Sequence, residues 1–380
     1  MTRRVRMILT AATAVALSGV LAVPAPAAPA GGPSRHEATR QAVRAAVADG
    51  VPGVVARVQR GHGEWAATEG VGNLETGTPR ATRDHYRIGS ITKTFVATVV
   101  LQLEAEGELS LDDKVEKWLP GVVRGNGHDG REITLRQLLN HTSGVFSITE
   151  DREFRRKFFT ADGFAQHRYD TVAPEDLVRA AMAYEPDFKP GESWKYSNTN
   201  YLLAGMVIEK VTGHPYGDEI RNRIINPLHL EGTSVPGTRT TLPRPSSRAY
   251  SRLGTTATDP TYDVTELNPS MAGASGEMIS DSADLTHFYS ALLRGRLLPP
   301  EQLEEMKTTV PTEKHEAYGL GLRSYELTCG RIVWGHGGDI HGSHTRALTT
   351  ADGRHTLAFN FNGDWTKKND AIVEAEFCGK

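Results

Sequence analysis

The sequence predicts an α/β chain of the α+β kind: an antiparallel sheet flanked by helices, built from both chain ends, with a mostly helical lobe inserted between them. Three observations predict it. Strand-like runs gather at the two ends, at 54–58, 64–69, 331–334, 344–349 and 355–361. Apolar runs with helical spacing and capping residues fill the middle. Turn signals separate the strands: Gly61-His62-Gly63 between the first two and Asp352-Gly353 between the last two.

The elements follow in order. Glu37 to Ala48 has helical spacing and ends before Gly50, and Val51-Pro52-Gly53 turns into the first strand. Ile91 to Glu106 is a helix with Gly107 past its end. Ser110 opens another, with Asp113 three residues on as a capping pair and Pro120 beyond. Thr134 and Gln137 repeat that signature before Leu138-Leu139. Asn200 to Val211 is stopped by Gly213, and Asp281 to Leu293 by Gly295. The stretch 235–269, rich in Thr, Pro, Ser and Arg, reads as surface loops. A closing helix runs roughly from Asn369 to Glu376. The helical lobe spans about 101–280 inside a domain at 36–380. The two chain ends meet in one sheet.

Composition narrows the function. The chain has 380 residues, 38% hydrophobic and 23% charged, which fits a soluble globular protein. Lys and Arg number 43 and Asp and Glu 46, for a net charge of −3. That balance argues against nucleic acid or an anionic membrane as partner. The N-terminus has the order of a secretory signal peptide: Arg3, Arg4 and Arg6, an uncharged apolar run from Met7 to Val23, then Ala25, Ala27, Ala28 and Ala30. We expect a leader at 1–28, cleavage within 27–30, a secreted product and no membrane anchor. Losing the three arginines takes the charge from −3 to −6. In an oxidising compartment the even pair Cys329 and Cys378 reads as one disulfide.

Three motifs carry chemistry. In Tyr86-Arg87-Ile88-Gly89-Ser90-Ile91-Thr92-Lys93, Ser90 starts an apolar helix and Lys93 lies one turn later on the same face. A serine nucleophile needs an adjacent base, and lysine serves when burial and a helix N-terminus keep it neutral. In isolation the same spacing also reads as a serine cap with an exposed lysine. The second motif, Tyr196-Ser197-Asn198, puts a phenol and an amide on one side of a helix start. There Tyr196 could relay a proton with Lys93, and Asn198 could hold both Lys93 and a substrate carbonyl. The alternative is a packed Tyr with a helix-start Asn. The third is Trp334-Gly335-His336-Gly337-Gly338-Asp339, whose glycines leave a strand edge open for an extended substrate, with His336 pointing into the same cleft; the alternative is a Gly-rich β-bulge beside a structural histidine. A rival reading makes His336, His341 and His344 metal ligands, but their spacing matches no metal motif, and we expect none. The chain has no G-x-S-x-G nucleophile elbow.

In this order the motifs resemble those of the penicillin-recognising serine hydrolases, which include DD-peptidases, class C β-lactamases and related esterases. Leu109 to Gly121, Ile133 to Gly144, Tyr196 to Gly213 and Tyr318 to Arg323 look like signatures of that superfamily, and the likeness covers 36–380. Within it the chain looks most like the secreted D-alanyl-D-alanine carboxypeptidases. They share the Tyr-Ser-Asn, the histidine of the third motif and a late cysteine pair.

The resemblance implies a β-lactamase/DD-peptidase-like fold and a covalent acyl-serine intermediate. Ser90 is then the nucleophile, Lys93 and Tyr196 shuttle its proton, and Asn198 orients the substrate amide. His336 lines the far wall and helps protonate the leaving group. The N–H groups of Ser90 and Asp339 form the oxyanion hole, beside Gly337 and Gly338. Arg323 stands near the substrate's terminal carboxylate. The implied partners are D-Ala-D-Ala-terminated cell-wall peptides and β-lactam antibiotics, with no cofactor. One departure favours a same-fold esterase, β-lactamase or D-aminopeptidase. The slot after His336 is Gly337 where DD-peptidases commonly have Thr, and the acid Asp339 follows. A reading from another class is a non-catalytic module binding cell-wall peptide.

Overall fold

Eight strands form one antiparallel sheet in the computed structural model, which describes Thr2 and residues 36–254, 260–366 and 370–379. The expected leader lies outside the described residues, Thr2 aside. The strands are β1 (Gly53–Arg60), β2 (Gly63–Gly70), β3 (Val310–Glu313), β4 (Glu316–Tyr318), β5 (Arg323–Glu326), β6 (Ile332–Ile340), β7 (Ser343–Thr350) and β8 (His355–Phe361). Their order across the sheet is β2-β1-β8-β7-β6-β5-β4-β3. The sheet is therefore built from both chain ends: β1 pairs with β8, Val54 facing Phe361 and Arg60 facing His355.

Period-two alternation decides which core each side chain joins. Val54, Ala56 and Val58 pack with Phe359, Phe361, Ile372 and Phe377 beneath the helices Glu37–Ala48 and Asp370–Cys378. On the opposite face Val55, Ala347 and Ala358 join the larger core with Phe95 and Phe288. Those two rings stack with centroids 3.7 Å apart, linking the helix Thr92–Ala105 to the helix Ser282–Leu293. Truncating either Phe to Ala costs about 3–5 kcal/mol.

The terminal helices are tied by polar contacts as well. Buried Glu376 accepts from Thr39 Oγ1 at 2.7 Å and meets His36 Nδ1 at 2.9 Å and His355 Nε2 at 2.6 Å. The disulfide between Cys329 and Cys378 joins the β5–β6 turn to the last helix, with Cα atoms 5.9 Å apart. Among the described residues no helix is long and apolar enough to cross a membrane.

Several local expectations hold. Thr134 and Gln137 form a capping box, each side chain accepting the other's backbone N–H. Asp281 caps its helix by accepting from Ala283 and Asp284. Gly213 ends the helix Asn198–Thr212 in the left-handed region that glycine tolerates.

Others are corrected. Ser110 and Asp113 make a local turn, Ser110 N–H donating to Asp113 Oδ2 at 3.0 Å, but only Val115–Trp118 is helical. Lys114 is bridged to Thr134, which fixes that backbone as extended. The strand expected at 331–334 runs on through the glycines to Ile340, because β7 pairs with it residue by residue. The strands β3 to β5 were not foreseen. They are short, and β3 contains Pro311, which a sheet accepts at its edge.

Candidate active site

The site is assembled where β6 passes under a tight turn. Gly89–Ile91 forms one 3₁₀ turn that feeds the helix Thr92–Ala105. Two glycines allow the approach. Gly89 has φ +50°, and a Cβ there would lie 2.8 Å from Asp339 N. A Cβ on Gly338 would lie 1.9 Å from Ile88 O and 3.0 Å from Ser90 N. The glycines of the third motif thus admit the Ser90 turn onto the face of β6. β5 pairs with β6 only over 332–335, and β6 continues past its end toward Ser90.

Lys93 is fully buried. Its Nζ lies 3.1 Å from Ser90 Oγ, 2.7 Å from Asn198 Oδ1 and 2.6 Å from Ser275 O. Burial, with Arg323 adding a like charge, holds its pKa well below the ordinary lysine value. A neutral amine has two hydrogens and one lone pair. Asn198 and Ser275 take the hydrogens, which leaves the lone pair facing the Ser90 hydroxyl. This is the geometry of a general base on a serine.

Tyr196 is hydrogen-bonded to Ser90, and its ring centroid is 4.8 Å from Lys93 Nζ. Burial raises its pKa, so the phenol keeps its proton. His141 lies against this ring at 4.3 Å and against Tyr318 at 4.7 Å. Its Nδ1 accepts from Ser197 N–H and faces Asn200 Nδ2, both at 3.2 Å, which places the ring proton on Nε2. Desolvation keeps this imidazole neutral.

Ser90, Lys93, Tyr196 and Asn198 therefore converge. Arg323 stands next to them, its guanidinium 5.1 Å from the Tyr318 ring and 5.5 Å from the Tyr196 ring, and it pairs with Glu316 at 3.0 Å. His336 is placed differently from the expectation. It is 2% exposed, Nε2 lies 2.9 Å from the Tyr318 hydroxyl, and Nδ1 bonds Gly337 O. With both ring nitrogens engaged, His336 supports Tyr318.

Gly337 faces Arg346, whose Cδ would be 3.3 Å from a Cβ there. Asp339 keeps a largely exposed carboxylate, which bonds His344 Nδ1 and whose charge reaches Tyr196. His341 bonds Phe158 O. The three histidines of the rival metal reading thus face three different partners.

Three contributors were missed. His141 and Tyr318 lie inside the stretches 133–144 and 318–323, singled out for their resemblance without an assigned role. Ser275 acts through its backbone carbonyl, so its side chain carries no signal.

The family model described as Beta-lactamase matches residues 39–375. Penicillin-binding protein 4* of Bacillus subtilis (strain 168) is 29% identical over 310 residues, 78% of this chain and 65% of that protein. Penicillin-binding protein 4 of Amycolatopsis lactamdurans is 31% identical over 70% of this chain and 65% of its own length. The chain thus spans just under two thirds of these two relatives. Among solved structures, a D-stereospecific amidohydrolase from Streptomyces sp. is 60% identical with a TM-score of 0.87, covering 91% of this chain and 99% of its own. D-amino acid amidase from Ochrobactrum anthropi SV3, complexed with L-phenylalanine amide, is 28% identical with a TM-score of 0.77, covering 90% and 98%. Sequence, fold and the Ser–Lys–Tyr geometry agree: this chain belongs to the beta-lactamase family of penicillin-recognising serine hydrolases.

Proposed function

We propose that this hydrolase cleaves amide bonds of D-configured aminoacyl substrates through a covalent Ser90 ester. The observation that carries the reading is the buried Lys93 Nζ, held by Asn198 Oδ1 and Ser275 O and 3.1 Å from Ser90 Oγ, with its pKa lowered by burial. Lys93 takes the hydroxyl proton as Ser90 attacks the carbonyl. The N–H groups of Ser90 and Asp339 receive the developing oxyanion. Tyr196, still protonated, delivers a proton to the departing amine and is recharged from Lys93. Water then attacks the ester by the reverse route.

Two features favour an amide over a free terminal carboxylate. Gly337 offers no hydroxyl, and Asp339 adds negative charge near Tyr196. The 60% identity to a D-stereospecific amidohydrolase supports the same choice. Arg323 favours a second reading, the D-alanyl-D-alanine carboxypeptidase, because a guanidinium beside the cleft could hold a carboxylate. The leader reading makes the enzyme a secreted one, and N-terminal sequencing of exported protein beginning after 27–30 tests it.

The deciding experiment compares D-phenylalanine amide, its L enantiomer and an acyl-D-Ala-D-Ala peptide, with benzylpenicillin followed by intact mass. Turnover of the D-amide above the other two, abolished in a folded Ser90→Ala variant, is expected. D-alanine release from the peptide with a long-lived penicilloyl adduct would favour the carboxypeptidase. Normal turnover by Ser90→Ala would end both.

A further inference from the structure

A cavity of about 470 Å³ lies between the helix Asn198–Thr212, the helix Tyr216–Ile220 and the loops at 235–238 and 270–277. That volume falls within the roughly 300–1,000 Å³ of small-molecule sites. Ser90, Lys93, Tyr196 and Asn198 do not line it. Its wall is largely apolar, with Val172, Leu202, Met206, Val235 and Ala274 among its members.

Two carboxyl groups interrupt the apolar wall, those of Glu209 and Glu277. Glu277 is 2% exposed and receives hydrogen bonds from the Tyr216 hydroxyl and the Gly237 backbone, both of the same wall. Glu209 accepts the Tyr216 N–H at 3.2 Å. The charged groups acting on Glu277 are Arg87, which favours its ionised form, and Glu209, which opposes it. Arg87 donates through Nη2 to the carbonyls of Thr240 at 2.8 Å and Leu267 at 3.0 Å, while its Nε and Nη1 are buried without a partner among the described residues. At the rim, Asp218 and Arg221 pair with each other.

Desolvation outweighs Arg87, and the Glu277 carboxyl is pushed up to about 8. An acid held neutral in an apolar wall becomes a strong partner once a cation enters, because pairing offsets the cost of burying its charge.

We propose that this cavity is a second ligand site, separate from the Ser90 cleft, for a small organic ammonium with an apolar body, the charge held by Glu277 and Glu209. The inference does not rest on the substrate proposed for Ser90. The site also shares a wall with the catalytic machinery. Gly273 and Ala274 line the cavity, and the next residue, Ser275, holds Lys93 Nζ through its carbonyl. Ala274 is clamped from behind by Gly205, where a Cβ would come within 2.6 Å of its own.

The test is calorimetric titration of the full chain with 2-phenylethylamine, with 3-phenylpropionate and 2-phenylethanol as anionic and neutral counterparts. Ser90→Ala is expected to bind the amine as the parent does. Glu277→Gln, and independently a Val235→Trp variant that fills the cavity, each weaken it at least tenfold. The acid and the alcohol bind at least tenfold more weakly than the amine. Affinity rises from pH 6 to pH 8, because a bound cation favours ionised Glu277 and releases its proton. No binding of the amine at millimolar concentration would overturn the proposal. So would affinity unchanged in both folded cavity variants, or equal affinity for all three compounds.

Discussion

The Tyr318 hydroxyl donates to His336 Nε2 across 2.9 Å, because Nδ1 carries the ring proton and gives it to Gly337 O. The pair is buried, and desolvation holds the imidazole neutral. Tyr318→Phe leaves Nε2 as an unsatisfied acceptor. We expect a loss of about 1–3 kcal/mol of stability, read by urea denaturation at neutral pH. An unchanged midpoint would mean that water takes the place of the phenol.

Lys93 acts as a base only when neutral, so acylation rises with pH through its lowered pKa. Arg323 contributes to that lowering. Arg323→Gln removes a positive charge, stabilises protonated Lys93 and moves the rising limb of kcat/KM to higher pH. A pH–rate profile of the two proteins decides. A limb that stays in place would separate Arg323 from the base.

Gly338→Ala places a methyl group 1.9 Å from Ile88 O and 3.0 Å from Ser90 N. The backbone must move, at about 1–3 kcal/mol for overpacking. The same movement shifts the Ser90 turn, so turnover of the D-amide falls together with Tm. Gly337→Ala meets only the Arg346 side chain at 3.3 Å, which can yield, and is expected to be milder. Equal losses in the two variants would argue against the close approach.

Burial is the largest single influence on Glu376 and raises its pKa, but the hydrogen bonds from His355, Thr39 and His36 together outweigh it and leave the pKa lowered. A depressed carboxylate contributes stability above its unfolded value, here 4.5, and loses it as pH falls through the folded value. Glu376→Gln is therefore expected to destabilise at pH 7, by a margin that shrinks as pH falls below 4.5. Thermal unfolding across that range checks the sign.

Reduction of the Cys329–Cys378 bridge removes a cross-link over a sequence separation of 49. The chain-entropy model puts this at about 4 kcal/mol. Guanidinium titrations with and without reductant measure it.

Much of this was legible because the decisive signals are local. Ser90 and Lys93 are one helical turn apart, and Thr134 with Gln137 announces its own cap. That one sheet is built from both chain ends followed from strand-like runs at each of them, while the pairing of β1 with β8 is seen only in the structure. What stayed hidden depends on partners distant in sequence or on backbone atoms. Ser275 contributes a carbonyl, which any residue carries. His336 looked like a cleft residue, since nothing near it shows that Tyr318 occupies its Nε2. Gly338 looked like an open edge, whereas the structure uses it to admit the Ser90 turn. The cavity beside Ala274 draws its walls from four separated stretches, and no periodicity marks it.

The pairing of the first strand with the last has a consequence for synthesis. Val54 must wait for Phe361, more than three hundred residues later, before its side of the sheet exists. Pairing between segments so far apart in sequence comes late. Ser90 and Lys93 emerge well before Asp339, whose N–H is proposed for the oxyanion hole. A nascent or truncated chain thus carries its nucleophile without the strand beneath it. The proposed Ser90 chemistry thus depends on β6, a strand made long after the nucleophile.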